Sequence, residues 1–148
     1  MSLENMINKM NIKVKKLHPD AKIPTSGTEQ AAGFDMYSIE DYELQPHETY
    51  PIKTGIAVEV PVGKVLHIWD RSGMGMKGLS IHGGVIDSDY RGEIKAILQN
   101  HNTKSIQIKK GDRICQGIIQ DYYKAEFEEV EELSDTKRGE NWNSSTGR

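Results

Sequence analysis

The amino-acid sequence predicts one all-β domain: a sandwich, a jelly roll or a barrel. Its apolar residues recur at every second position in short runs, Gly, Pro, Asn and Asp punctuate those runs, and helical periods are few. A length of 148 residues suits a single compact core without a second module.

Residues 1–10 hold no continuous apolar run and read as a loosely ordered leader, not a signal peptide. Residues 11–133 hold the β signals. Ile12-Lys13-Val14-Lys15 alternates, and Ile56, Val58 and Val60 alternate with Ala57 and Glu59 until Pro61 stops them. Val65-Leu66-His67-Ile68-Trp69 is rich in β-formers. Ile94, Ala96 and Leu98 alternate with Lys95, Ile97 and Gln99, and Ile106 and Ile108 with polar neighbours. Turn chemistry at Pro61-Val62-Gly63-Lys64 and Lys109-Lys110-Gly111-Asp112 separates the runs. The stretch from Ile114 to Ile119 is apolar on both faces, Ile114 and Ile118 on one, Cys115 and Ile119 on the other. Either its own chain covers both faces, or the second packs against another subunit. Residues 126–132 are strongly acidic and read as a last solvated edge strand or turn. Residues 134–148 form a C-terminal arm of Gly, Ser, Thr and Asn with almost nothing to bury, a composition that favours flexibility. Its two arginines, its hydroxyls and Trp142 nonetheless equip it to order over a phosphate-bearing ligand.

Composition excludes several function classes. A net charge of −3, from 19 basic and 22 acidic residues, gives no bulk reason to bind a nucleic acid polymer. No stretch is long and apolar enough to cross a membrane as a helix. The single cysteine, Cys115, excludes an internal disulfide. With no basic or histidine cluster beside it, it reads as a small buried hydrophobe in a reducing, cytoplasmic compartment. The five histidines, at 18, 47, 67, 82 and 101, lack metal-ligand spacing. Gly73 to Gly78 satisfies the glycine spacing of a dinucleotide loop. That fingerprint needs a helix next, however, and Leu79-Ser80-Ile81-His82 is not one.

Three stretches carry candidate chemistry. In Gly83 to Glu93, extended arms at Gly84–Ile86 and Glu93–Ala96 flank a turn rich in Asp, Ser and Gly. This is either a hairpin with solvated acids or a mouth that presents Asp87 to a water and Tyr90 to a sugar. Arg71-Ser72-Gly73 offers a planar cationic fork, a hydroxyl and an approachable backbone, a set suited to phosphate. In Gly111-Asp112-Arg113-Ile114-Cys115-Gln116, the amide of Gln116 shares an apolar face. It must find either a buried structural bond or a ligand.

In this order the stretches resemble the trimeric deoxyuridine triphosphatase family at all five of its motifs. These are Ala32-Gly33-Phe34-Asp35-Met36; Arg71-Ser72-Gly73 with Lys77-Gly78; Gly84 to Gly92; Gly111 to Gln116; and Arg138-Gly139 with Ser145-Thr146-Gly147. The match runs from about Lys13 to the end. Three departures stand out. Asp70 occupies the place where the second motif has Pro. The short loop after that motif lacks the Asn some members use on the base. Asn143 falls where the arm usually has a stacking Phe, with Trp142 one residue earlier.

The resemblance implies a jelly-roll-like β-barrel or sandwich, assembled as a homotrimer with three shared active sites, each closed by a neighbour's arm. It implies hydrolysis of dUTP to dUMP and pyrophosphate by water attack on the α-phosphorus, with Asp87 as general base. Mg²⁺ is implied on the three phosphates, with no direct protein ligand and with Asp35 touching the metal's waters. Arg71, Ser72, Gly73, Gln116 and Arg138 are implied on the triphosphate, joined by the hydroxyls of Ser145 and Thr146. Uracil is implied against the backbone of Gly84, Val85, Ile86 and about Lys95, with Tyr90 excluding a ribose 2′-OH and Trp142 stacking on the base. Deamination of dCTP on the same fold would need a Glu where Ile97 stands. The remaining alternative is a non-catalytic binding or regulatory protein on the same scaffold, for which Asp87, Tyr90, Ser72 and Gln116 together would have no use.

Overall fold

The computed structural model describes residue 2 and residues 6–142. Its elements are β1 (Lys13–Lys16), β2 (Phe34–Tyr37), β3 (Tyr42–Leu44), β4 (Thr49–Lys53), β5 (Ile56–Glu59), β6 (Lys64–Trp69), α1 (Ser72–Met76), β7 (Leu79–His82), β8 (Val85–Ile86), β9 (Lys95–Asn100), β10 (Ile106–Ile108) and β11 (Arg113–Asp121). The all-β class holds. Every pairing is antiparallel, in the orders β1-β5, β10-β3, β2-β11-β6-β8 and β4-β9-β7.

The alternating runs bury the faces their period predicts. Ile94, Ala96 and Leu98 are at most 1% exposed, while Lys95 faces solvent. Ile56, Val58, Val60, Leu66, Ile108 and Ile114 join them in one core with Met36, Leu44 and Ile52. Burial of this kind contributes about 25 cal/mol per Å² of apolar surface. The core has a polar hub at Asn100, which is fully buried. Its Nδ2 donates to the carbonyls of Leu44, Gln45 and Lys104, and its Oδ1 accepts from the Asn102 N–H. Burying an amide is tolerable because both ends are satisfied.

Several expectations are corrected. The arms at Gly84–Ile86 and Glu93–Ala96 do not pair with each other. β8 pairs with β6, Val85 opposite His67, whereas β9 pairs with β4 and β7. Residues 126–132 join no sheet, since five acidic side chains in seven residues gain nothing from a ladder they cannot pack against. The two-faced stretch of β11 is covered largely by its own chain. It is the strand between β2 and β6, and Ile114 and Cys115 are both fully buried. Only Ile118 and Ile119 remain half-exposed, so the inference of a partner surface from this strand loses most of its force. No helix follows Gly73 to Gly78, as expected, because β7 does. The glycine-rich stretch itself, however, holds the short helix α1. Met74 anchors α1 in the core, and Gly78, at φ +77°, ends it.

Candidate active site

The residues singled out in the sequence fall into two groups, one just past Trp69 where β6 ends, the other running beside β6 from Gly84, bonded to Ile68, to Asp87, level with Val65. The first forms where β6 leaves the sheet. In the order β2-β11-β6, Asp35, Gln116 and Trp69 sit opposite one another as cross-strand neighbours. Arg71, just past the end of β6, reaches back over this row. Its Nε donates to Asp35 Oδ1 at 2.7 Å, and its Nη1 to the Arg113 carbonyl at 3.2 Å. The Arg113 guanidinium lies 3.7 Å from the other Asp35 oxygen. Gln116 donates through Nε2 to the Asp70 carbonyl at 2.7 Å. Its Oε1 occupies the space a side chain at Gly33 would need, since a Cβ there would stand 2.3 Å away. That contact is the physical reason for glycine in the first motif. Ser72 and Gly73 are exposed on α1 beside the cluster.

Beneath this group lies Cys115. Burial pushes its thiol up to about 12, the Asp35 charge adds to the shift, and Arg71 opposes it. The reading of an inert buried thiol stands.

The second group surrounds the split between the arms. Gly83 and Gly84, at φ +69° and +106°, turn the chain out of the β7–β9 ladder and onto β6. The Gly84 carbonyl accepts from the Ile68 N–H at 2.7 Å. A Cβ on Gly84 would come within 2.7 Å of the Ile68 carbonyl oxygen, so only glycine fits. The other arm is held from its far side. The Ile94 N–H donates to the Ile56 carbonyl, the Thr54 hydroxyl to the Ile94 carbonyl, and the Gly55 N–H to Glu93 Oε1. Between the arms, main-chain edges face a gap with no ladder across it. At the tip, Tyr90 folds over Gly92 and donates its hydroxyl to the Glu93 carbonyl at 3.0 Å. Asp87 is exposed. Its carbonyl accepts from the Tyr90 N–H, and no described residue engages its carboxylate. It opens on a cleft of about 490 Å³ lined by Lys64, Val65, His67, Val85 and Tyr122. Lys95 begins β9 with an exposed side chain.

The register separates the two groups. With Val85 opposite His67, Asp87 falls level with Val65, and Arg71 lies beyond Trp69 at the other end of the strand. Four residues of strand already span about 13 Å. No hydrogen bond or ion pair between described residues links Asp87 or Tyr90 to Arg71, Ser72 or Gln116. The described part of the arm, residues 134–142, makes no hydrogen bond or ion pair with either group. Arg138 folds onto its own segment, donating to the Asn141 and Trp142 carbonyls, and Trp142 is exposed. Ser145 and Thr146 lie outside the described residues.

Sequence reasoning passed over Arg113 and Glu93. A β-bulge between Arg113 and Cys115 turns Arg113 toward Asp35, and no alternation pattern reveals a bulge. Among the described residues no three His, Cys, Asp or Glu side chains converge as a metal site, and no helix is long and apolar enough to cross a membrane.

Comparison with known proteins gives this arrangement a context. The dUTPase family model matches residues 19–147. The deoxyuridine 5'-triphosphate nucleotidohydrolase of Nautilia profundicola is 48% identical over 94% of this chain and 100% of its own length. That of Helicobacter pylori strain Shi470 is 43% identical over 93% of this chain and 97% of its own. Among solved structures, the Staphylococcus bacteriophage 80alpha dUTPase with dUPNHPP superposes with a TM-score of 0.87, at 30% identity, over 95% of this chain and 100% of that one. A mutant dUTPase from S. aureus phage phi11, described as revealing the coordination of a structural Mg(II) ion, superposes at 0.79 and 27% identity over 85% of this chain and 100% of that one. Sequence and fold therefore agree along nearly the whole chain: it belongs to the dUTPase family.

Proposed function

We propose that this protein hydrolyses dUTP to dUMP and pyrophosphate, at sites shared between three copies of the chain. The observation that carries the reading is the separation of the two groups. A carboxylate free to activate water stands at one end of β6, and a cluster suited to phosphate stands at the other. One copy cannot bring them onto a single triphosphate. A symmetric ring can, with Asp87 of one copy facing Arg71, Ser72 and Gln116 of the next.

Each residue then has a task. Main-chain N–H and C=O groups along Gly84, Val85, Ile86 and near Lys95 offer a base-pairing edge to uracil. The Tyr90 ring, pinned by its bond to Glu93, lies under the sugar and rejects a 2′-hydroxyl by bulk. Asp87 accepts a proton from the water that attacks the α-phosphorus. Arg71, Ser72, the backbone at Gly73, and Gln116 stabilise the charge that grows on the leaving pyrophosphate. Arg138, Ser145 and Thr146 of a neighbour's arm close over the phosphates, and Trp142 covers the base.

The donor set fits Mg²⁺ carried by the substrate. Asp35 is occupied by two arginines but keeps lone pairs that can accept hydrogen bonds from metal-bound waters. When bound, the ion would neutralise phosphate charge. The discriminating experiment incubates the protein with Mg²⁺ and dUTP, dCTP, dTTP or UTP and identifies the products. Pyrophosphate and dUMP from dUTP alone is the expected result. Release of ammonia from dCTP, or no turnover of any of the four, refutes the reading.

A further inference from the structure

Where the family's second motif has Pro, this chain has Asp70, and Asp70 is bonded on both sides. Its Oδ1 accepts a 2.6 Å hydrogen bond from the Ile81 N–H. That N–H belongs to β7, whose other edge pairs with β9, so the bond joins the β2-β11-β6-β8 sheet to the β4-β9-β7 sheet. The Asp70 carbonyl accepts the 2.7 Å bond from Gln116 Nε2, and the next residue is Arg71.

A proline at this place would restrain the turn covalently, because its ring fixes φ near −65°. Aspartate has no such restraint. Its backbone would be free to swing about the end of β6, and the Gln116 amide would swing with it. The carboxylate tether to Ile81 supplies the restraint from outside and also satisfies a strand-edge N–H that has no ladder partner. Gln116 is already confined on its other side by Gly33, so the Asp70 carbonyl decides where its amide points.

We infer that Asp70 is a positioning residue for the triphosphate end of the site, acting through Gln116 and the start of the Arg71-Ser72-Gly73 turn. The inference rests on the dUTP-hydrolysing reading above.

The test compares wild type with Asp70→Ala, Asp70→Asn, Asp70→Pro, Gln116→Ala and the Asp70→Ala/Gln116→Ala double variant. It measures kcat, KM for dUTP and melting temperature on the full chain. Loss of one orienting hydrogen bond should lower kcat about three- to tenfold in Asp70→Ala, with KM little changed. Asn keeps an oxygen that can accept from Ile81, and Pro restores the covalent restraint, so both should recover most of the rate. Trp69 is already extended, as a residue before proline must be. In the double variant the two losses should combine to less than their product. A purely structural bond would lower the melting temperature and leave kcat of the folded enzyme alone. Wild-type kcat in Asp70→Ala, an Asn variant as slow as Ala, or fully multiplicative losses overturns the inference. Those outcomes leave the functional reading intact as long as wild type turns over dUTP and Gln116→Ala is slow. A wild-type protein that leaves dUTP untouched refutes both.

Discussion

Arg71 reaches across the strand β11 to Asp35 on β2. Guanidinium Nε and carboxylate Oδ1 stand 2.7 Å apart, and both side chains are mostly buried. Arg113 approaches the same carboxylate from the other side. Two guanidiniums against one carboxylate leave the cluster net positive, with Arg113 more than half exposed toward solvent. The carboxylate aligns the arginines without cancelling them, which is a geometry for receiving an anion.

Removing that carboxylate should release both arginines. Asp35→Ala is expected to raise KM for dUTP about tenfold or more. It should also destabilise the fold by about 1.5–3 kcal/mol, the usual worth of a hydrogen bond to a charged group. Steady-state kinetics and urea unfolding measure the two effects. Unchanged KM would mean that Arg71 needs no support from β2.

Asp87→Asn keeps the shape of the 84–93 turn and removes the proton acceptor. Turnover should fall by about 10²–10⁴-fold, with the binding of a non-hydrolysable dUTP analogue retained. Near-normal turnover in this variant would remove Asp87 from the chemistry.

On the proposed reading, the separation of Asp87 from Arg71 along β6 calls for more than one copy per site. Light scattering at micromolar concentration should give the mass of a trimer. Deleting residues 137–148 should leave that mass at three copies while lowering kcat by about two orders of magnitude, since misplacement of closing groups alone can cost that much. A fully active monomer would end the shared-site account.

Tyr42 and Tyr50 stack at 3.6 Å between centroids, and the Tyr42 hydroxyl donates to Glu48 at 2.6 Å. This bond, with a second from the Gln45 N–H, holds the Glu48 carboxyl below its ordinary value. The same bond, with some desolvation, pushes the Tyr42 hydroxyl up to about 12. A lowered carboxyl contributes stability above its unfolded pKa and loses it as pH falls through the folded one. A raised phenol contributes below about 10 and loses it as pH climbs toward 12. The melting-temperature gap between wild type and Glu48→Ala should therefore be widest near neutrality and shrink at both extremes. A gap constant from pH 3 to pH 7 would show that the pair does not titrate with folding.

What was legible in the sequence follows from where the physics is local. The faces of β5 and β9 could be read because burial on one side leaves a period of two. β2 and β4 could not. Phe34-Asp35-Met36-Tyr37 shows only Phe34 and the buried Met36 on its core face, with Asp35 and Tyr37 on the other, too few residues to set a period apart from the glycine-containing stretch before it, and Thr49–Lys53 contains Pro51, tolerated because β4 is a sheet edge. Asp35, Arg71 and Gln116, singled out separately, do converge. The bonds among them depend on strand order, which no local pattern encodes. The supposed hairpin at 84–96 failed for the same reason. Its turn residues were recognised, but the preference of Val85 and Ile86 for β6 over β9 is decided by two glycines and by what lies across the sheet.

Cys115 lies near the start of β11, fully buried, with its thiol held protonated far above neutral pH. Alkylating reagents require both access and a thiolate, and the folded chain supplies neither. Uptake of label by the chain's one cysteine is thereby limited to molecules in which β11 has come free of its neighbours. The rate of modification is a clock for that opening event. Any small molecule that bridges β2, β6 and β11 should slow the clock in proportion to its occupancy, turning an otherwise silent sulfur into a gauge of engagement at the surface above it.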